Sequence, residues 1–208
     1  RGGWSTGVTL VDINNDGKLD IYVCKSLYDD SPALRSNELY LNITPDGQQI
    51  PLFKEASAAY GLNNFWRSMQ ASFLDYDRDG DQDVFLINQP PNPGVFSPIA
   101  GMDWRDTLFS CRLYENIDNQ FIDISKKAGV LQHGYGLSAT VADYNRDGFV
   151  DIYVCNDYEA PDFLYLNQKD GTFKNTINTS MQQISYFSMG SDAQDIDNDG
   201  WTDLVALD

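Results

Sequence analysis

The sequence has very little of the chemistry that most enzymes use. It contains one histidine, His133, and three cysteines among 208 residues. Any histidine-based catalytic triad or zinc site would have to be built around this one histidine, and an odd number of cysteines argues against a disulfide scaffold. No phosphate-binding glycine loop or paired-cysteine zinc spacing occurs. The sequence therefore predicts no catalytic residues, and Cys24 and Cys155 are interpreted as buried hydrophobic residues at the ends of two equivalent strands.

Basic residues are also scarce. Lys and Arg total 14 against 31 Asp and Glu, which gives a formal net charge of −17. Because nucleic-acid binding needs a clustered basic surface, we expect no nucleic-acid partner. No run of about 18 apolar residues occurs, so no membrane span is predicted. Hydrophobic residues still make up 42% of the chain, which is enough for a packed core.

The chain is rich in one acidic motif of nine residues, which occurs four times, at 12–20, 75–83, 143–151 and 195–203. Each copy has Asp or Asn at positions 1, 3 and 5, Gly at position 6 and Asp at position 9. Together the copies place 14 Asp at these positions. Such crowding is repulsive unless a cation lies among the carboxylates, and oxygen side chains around a turn glycine are typical ligands of Ca²⁺.

The motif therefore predicts four Ca²⁺ sites, with side-chain ligands from positions 1, 3, 5 and 9 and the main-chain carbonyl of position 7. The predicted ligand residues are Asp12, Asn14, Asp16, Lys18, Asp20, Asp75, Asp77, Asp79, Asp81, Asp83, Asp143, Asn145, Asp147, Phe149, Asp151, Asp195, Asp197, Asp199, Trp201 and Asp203. The second and fourth copies have Asp instead of Asn at position 3, so we expect them to bind more tightly. The alternative is that the motifs are merely polar turns. Four copies in one register favour the metal.

An EF-hand begins with a similar pattern but closes its ion with Glu at position 12 and continues as a helix. Position 12 here is apolar in all copies: Val23, Leu86, Val154 and Ala206. Short apolar runs that are largely β-branched or aromatic follow each motif, and strand-like segments precede it. The sequence thus predicts a loop between two strands and excludes the EF-hand.

The rest of the unit repeats as well. The motifs begin 63, 68 and 52 residues apart, a spacing typical of propellers and solenoids. A Leu-Tyr-x-Asn segment recurs at 39–42, 113–116 and 164–167, and further strands begin at Phe53, Phe121 and Phe173. We predict an all-β fold of β-propeller blades with four antiparallel strands each, in which the metal loop joins the first and second strands. Residues 1–208 would form one segment of about three and a half blades, with the remainder of the same propeller as its neighbour.

These features resemble the FG-GAP/VCBS-type repeats of integrin α-subunits and of many secreted bacterial proteins. The segments 4–14 and 121–130 are most similar to the group that includes cartilage acidic protein and its bacterial relatives. The resemblance implies a calcium-stabilised propeller, usually of about seven blades, in secreted or surface proteins. It does not imply one activity, because propellers host many functions.

The connections opposite the metal loops are candidate binding loops. They span 25–37, 88–112 and 156–162, and they carry aromatic, proline and arginine residues that often dominate interfaces. These residues are Tyr28, Arg35, Pro90, Pro91, Pro93, Phe96, Pro98, Trp104, Arg105, Phe109 and Tyr158. Packing of the same side chains back onto the sheets is an equal alternative.

The leading hypothesis is a non-enzymatic module that binds a protein or glycan partner outside the cell or at its surface. Two alternatives are kept. One is a lyase-like, polysaccharide-active propeller enzyme, suggested by Trp104 and Arg105 near acidic residues. The other is a subunit of a bacterial envelope assembly.

Overall fold

The fold is seen in a computed structural model that describes residues 3–26, 31–90, 109–158 and 160–208. Within these ranges the chain is built almost entirely of short strands. The strands are β1 (Trp4–Val11), β2 (Asp20–Ser26), β3 (Glu38–Asn42), β4 (Phe53–Glu55), β5 (Ser68–Leu74), β6 (Asp83–Asn88), β7 (Arg112–Ile117), β8 (Gln120–Asp123), β9 (Gly136–Ala142), β10 (Asp151–Asn156), β11 (Phe163–Asn167), β12 (Phe173–Asn175), β13 (Gly190–Gln194) and β14 (Asp203–Leu207).

The strands form three four-stranded sheets and one two-stranded sheet, each in sequential antiparallel order. The four-stranded sheets are β1–β4, β5–β8 and β9–β12, and β13 pairs with β14. Each metal motif joins the first strand of a sheet to the second. The predicted fold class, three and a half blades of a partial propeller, is confirmed. That the chain is one segment of a larger propeller stays a prediction.

The core lies between neighbouring sheets. Every residue of the second strands β6 and β10 is buried, as predicted for a strand that is covered on both faces. Leu39 of the first blade packs in one cluster with Val84 and Leu86 of the second. Phe85 of the second blade shares the next cluster with Tyr165 of the third. Stacking of sheets therefore supplies the hydrophobic stabilisation that a single thin blade lacks.

The first strands of successive blades lie side by side and are joined by a repeated hydrogen bond. Three residues before each motif, a hydroxyl group donates to a main-chain carbonyl of the next blade. Thr9 Oγ1 donates to Ala71 O (2.8 Å), Ser72 Oγ to Ala139 O (3.1 Å), and Thr140 Oγ1 to Ser191 O (2.9 Å). This register brings the metal loops of adjacent blades together at one end of the stack.

One-turn helices follow the fourth strands, where the sequence analysis predicted no helix. They are α1 (Ser57–Tyr60), α2 (Ser125–Ala128) and α3 (Ile177–Ser180). Gly61 and Gly129 end the first two in the left-handed region, with φ of 75° and 78°. A 3-10 turn, Pro32–Arg35, lies between β2 and β3.

The cysteines are Cys24, Cys111 and Cys155, and all three are buried free thiols, as predicted for the first and last. Burial raises the pKa of Cys24 and Cys111 to about 12, so these thiols stay protonated at neutral pH. Among the described residues, no helix is long and apolar enough to cross a membrane.

Candidate metal centre

The side chains of the acidic motifs converge in the folded loops. In the second loop, one carboxylate oxygen from each of Asp75, Asp77 and Asp83 lies within 4.8 Å of the others. In the fourth loop, the same holds for Asp195, Asp197 and Asp203. These are the two motifs with Asp at position 3. Three carboxylates at this distance could hold a cation and repel one another without one.

Main-chain N–H groups hold the loop in shape. In the third loop, Asp143 accepts hydrogen bonds from the N–H groups of Asp147 (3.0 Å) and Gly148 (2.8 Å), and Asp147 accepts one from Phe149 N (2.9 Å). The first and fourth loops repeat this scheme, with Asp12 and Asp195 in the place of Asp143. The carboxylates are therefore oriented by the backbone, which is a condition for a pre-formed site.

In the third loop the amide of Asn145 performs two functions. Its Oδ1 accepts from Asp147 N (2.9 Å), and its Nδ2 donates to Asp147 Oδ2 (3.0 Å). Asn14 makes the same two contacts to Asp16 in the first loop. An amide relieves repulsion that a carboxylate in its place would add. This difference gives a physical basis to the prediction that the second and fourth loops bind more tightly.

The ninth position is more than a ligand position. Asp20, Asp83 and Asp151 are essentially buried, and each accepts two main-chain hydrogen bonds. One comes from position 2 of the same loop, as from Tyr76 N to Asp83 Oδ2 (3.2 Å). The other comes from the third strand, as from Asn116 N to Asp83 Oδ1 (2.8 Å). This aspartate fastens the metal loop to the middle of the blade.

Burial also makes these carboxylates weak acids. Loss of hydration raises the pKa of Asp83 to about 8, against the two main-chain donors, which lower it, while Asp77 and Asp81 raise it further. The same cause raises the pKa of Asp151 to about 6. In the second loop, burial and the neighbouring carboxylates of Asp79 and Asp77 raise the pKa of Asp81 to about 6. A bound divalent cation would stabilise the charged forms of all three.

The structure adds a residue to the site that the sequence analysis did not assign. The last Asn of the Leu-Tyr-x-Asn segment donates its side-chain amide to the carbonyl of position 8, as Asn42 does to Leu19 O (3.2 Å) and Asn116 to Gln82 O (3.3 Å). Its main-chain N–H also binds the ninth-position carboxylate. The recurrence of this Asn was visible in the sequence, but the carbonyl that it contacts lies 17 to 34 residues away.

A second missed position is the fourth of each motif. In all copies it has positive φ: Asn15 56°, Arg78 67°, Arg146 58° and Asn198 62°. Asparagine tolerates this region better than arginine does. The predicted carbonyl ligands at position 7, in Lys18, Asp81, Phe149 and Trp201, stay predictions.

Described residues of the candidate binding loops contact the segments that lead into first strands, that of the next blade for Arg35 and Ser36 and that of its own blade for Tyr158. Arg35 Nε donates to Phe65 O (2.7 Å) and Ser36 Oγ to Asn63 O (2.8 Å). The Tyr158 ring lies 5.1 Å from that of Tyr135. Several residues of the prediction lie outside the described residues, namely Tyr28, Pro91, Pro93, Phe96, Pro98, Trp104 and Arg105. The lyase-like alternative depends on Trp104 and Arg105, so no observation of the structure favours it.

One hydrolase-like pattern occurs in the sequence. Residues 3–7, Gly-Trp-Ser-Thr-Gly, satisfy Gly-x-Ser-x-Gly. A nucleophilic serine in that motif needs a sharp turn between a strand and a helix. Ser5 instead lies exposed inside β1, which continues to Val11. The pattern therefore carries no catalytic assignment here.

Comparison with known proteins agrees with this architecture. Residues 143–206 match the family model described as FG-GAP-like repeat, and they run from the third metal loop into β14. Along 99% of its length the chain is similar to cartilage acidic protein 1 of mouse (22% identical), of human (21%) and of Xenopus tropicalis (25%). The chain spans about a third of the length of these curated relatives, 30 to 31%. The predicted resemblance is confirmed. These relatives are vertebrate proteins and lend no support to a bacterial envelope assembly.

Proposed function

We propose that this FG-GAP-type repeat chain is a calcium-stabilised, non-enzymatic binding module that acts outside the cell or at its surface. The observation that carries the proposal is the convergence of three carboxylates in each of two equivalent loops. Their mutual repulsion is a cost to folding that a divalent cation removes. Each ion would cross-link the two strands of a hairpin and fix one end of the blade.

Ca²⁺ is the cation that this donor set favours. All side-chain donors at positions 1, 3, 5 and 9 are carboxylate or amide oxygens, which hard cations prefer. A loop of many protein oxygens suits the larger, less geometrically demanding Ca²⁺ better than Mg²⁺, which keeps several waters. Extracellular calcium modules bind with Kd of about 10⁻⁴ to 10⁻³ M, and we expect values in this range here.

The proposed location rests on the relatives and on charge. Their name refers to cartilage and to acidity, and this chain has a pI of about 4.1. Weak calcium sites are filled only where calcium is abundant, as it is outside cells. The proposed partner is a protein or glycan bound through the loops 25–37, 88–112 and 156–162, which connect second strands to third strands and are therefore expected at the blade ends opposite the metal loops.

Calorimetric titration of the metal-free chain with CaCl₂ tests the proposal. We expect up to four sites, a rise in melting temperature with calcium, and the loss of one site in Asp77→Ala. Asp118→Asn is the matched control, because Asp118 is an exposed acidic residue outside the motifs. Absence of binding heat and of any change in melting temperature up to several millimolar calcium would refute calcium stabilisation.

A further inference from the structure

Each of two metal loops reaches the loop of the next blade through its fourth residue. The guanidinium carbon of Arg78, in the second loop, lies 5.2 Å from the ring centroid of Phe149 in the third. The guanidinium carbon of Arg146, in the third loop, lies 4.7 Å from the ring centroid of Trp201 in the fourth. Both aromatic residues occupy position 7. The same cation–π contact is thus made twice, one blade apart.

The backbone conformation at position 4 accompanies this contact of the arginine side chain with the next loop. Position 4 is in the left-handed region in every copy, and the first and fourth loops place asparagine there. Arginine is uncommon in this region, and a residue held in it is retained when surrounding contacts offset the backbone cost. The aromatic ring of the next loop is such a contact.

The residue types at the two positions vary together within the chain. Arg78 and Arg146 precede loops with an aromatic residue at position 7. Asn15 precedes a loop with Asp81 at position 7, and its Nδ2 lies 3.4 Å from Gly80 O. The two arginine pairings are cation–π contacts with an aromatic ring, whereas the asparagine pairing is a hydrogen bond from a side-chain amide.

The arginine lies close to the glycine at position 6 of the next loop. A Cβ atom added to Gly148 would lie 3.5 Å from Arg78 Nη1, and one added to Gly200 would lie 3.9 Å from Arg146 Nη1, both ordinary van der Waals distances. A Cβ added to Gly17 or Gly80 would meet nothing within 4 Å. The glycine positions thus place the guanidinium group against the two loops that receive an arginine.

We propose that Arg78 and Arg146 couple the metal loops of neighbouring blades, so that Ca²⁺ binding to one loop raises the affinity of the next. This inference rests on the proposed calcium binding. An ion in the second loop fixes the backbone at Arg78 and holds the guanidinium on Phe149. That contact also orders Phe149, the residue that is predicted to supply the carbonyl ligand of the third loop. The entropic cost of ordering the third loop is then smaller when the next ion binds. The coupling acts equally in both directions.

Selective ¹⁵N-glycine labelling of the chain gives one reporter for each loop. The N–H groups of Gly17, Gly80, Gly148 and Gly200 all donate to the first Asp of their own motif. Calcium titration followed by NMR thus yields four separate midpoints. Asp77→Ala disables the second loop. We expect it to move the Gly148 midpoint about two- to fivefold to higher calcium, the size of an exposed cation–π contact.

Arg78→Asn tests whether the arginine carries the coupling. Asparagine is the natural residue at this position in the first and fourth loops, so the backbone should accept it. In the Arg78→Asn background, Asp77→Ala should leave the Gly148 midpoint unchanged. Lys169 Nζ also lies 5.7 Å from the Phe149 ring centroid, so charge must be separated from stacking. Arg78→Lys keeps the charge and is expected to lose most of the coupling.

The outcomes separate the two proposals. Gly61 and Gly129 lie outside the metal loops and report whether each variant stays folded; if Asp77→Ala loses their signals, Asp79→Asn replaces it. A Gly148 midpoint that ignores the state of the second loop, while all four loops bind, overturns the coupling alone. A shift that persists in full in Arg78→Asn overturns the role of the arginine. Four glycines that do not respond to calcium overturn both proposals.

Discussion

At the scale of a single residue, the ninth aspartate of the first three motifs combines a structural role with a predicted ligand role. Asp83 is 1% exposed, and each of its carboxylate oxygens accepts a hydrogen bond from a main-chain N–H group. Asp79, at position 5 of the same loop, is exposed and accepts one hydrogen bond, from Asp81 N (3.1 Å). The motif therefore contains aspartates that the fold itself uses and aspartates whose predicted role is chiefly to bind a cation.

This difference predicts distinct effects of substitutions at the two positions. Asp83→Ala leaves two buried main-chain N–H groups without their acceptor, so we expect a loss of about 1–3 kcal/mol in the free energy of unfolding even in chelator. Asp79→Asn keeps one oxygen and should reduce only the stabilisation that calcium adds. Urea unfolding with EDTA and with calcium measures both. Equal losses in EDTA would contradict the assignment.

The raised pKa of Asp83 predicts an unusual dependence of stability on pH. A folded-state pKa of about 8, against an ordinary value of 3.8, means that the folded chain binds this proton more tightly than the unfolded chain. Without metal, the free energy of unfolding should therefore fall as the pH rises from about 4 to about 8. Asp81 and Asp151, whose pKa values are raised to about 6, act in the same direction.

Saturating calcium should abolish this trend, because metal binding keeps the carboxylates deprotonated in the folded chain, as they are in the unfolded chain above pH 5. Urea unfolding at several pH values between 5 and 8, with and without calcium, measures the slopes. The Asp83→Ala variant should show a weaker slope in chelator. A metal-free stability that increases with pH across this window would be inconsistent with a buried, poorly hydrated Asp83.

At the scale of the element, the blade is held together by the third strand as much as by the metal hairpin. Asn167 of β11 is 3% exposed, and its Nδ2 donates to Tyr76 O of the preceding blade (2.7 Å) and lies 3.4 Å from Val150 O. Asn42, its equivalent in β3, donates from Nδ2 to Leu19 O in its own blade. In the third blade this sequence position thus adds a contact to the preceding blade.

We expect Asn167→Ala to cost about 1–3 kcal/mol in the free energy of unfolding, because it leaves a buried carbonyl without its donor. Asn42→Ala is the matched substitution in the first blade. It should cost less than about 1 kcal/mol, since water can replace the more exposed donor. Thermal or urea unfolding of the two variants in saturating calcium gives the comparison. An equal cost at both positions would argue against a special contact between the second and third blades.

Much of each element could be predicted from the sequence. The short apolar runs around each motif predicted the hairpins, and the Leu-Tyr-x-Asn segments predicted the third strands. The helices α1, α2 and α3 were not predicted because a segment of four residues is too short to show a helical period. The contact of Arg78 with Phe149 was not predicted. It joins two blades and depends on the left-handed backbone at Arg78, and residue spacing alone shows neither.

At the scale of the whole molecule, the outermost sheet faces differ from equivalent inner ones. Four residues before the motif, Val8 of the first blade is 69% exposed, whereas Ala71 and Ala139 in the next two blades are 3% and 6% exposed. Leu10, two residues further along β1, is 59% exposed. In the last sheet, Leu207 is 65% exposed. Blades of this kind bury such positions against a neighbour, and the neighbour we propose is another blade of the same propeller.

These exposed apolar sheet faces predict that the 208-residue chain offers a surface for nonspecific hydrophobic association. We expect it to bind the dye ANS and to self-associate as its concentration rises. The double substitution Val8→Thr with Leu10→Thr should reduce both effects, because threonine keeps the strand preference but lowers the apolar area. Ile122→Thr is the matched control, since Ile122 is 50% exposed on β8, away from both end faces. A longer form with further blades should bind less dye for each blade than this chain does. Equal dye binding by the two forms would mean that no blade covers β1, and the partial propeller would then have to be regarded as an open stack.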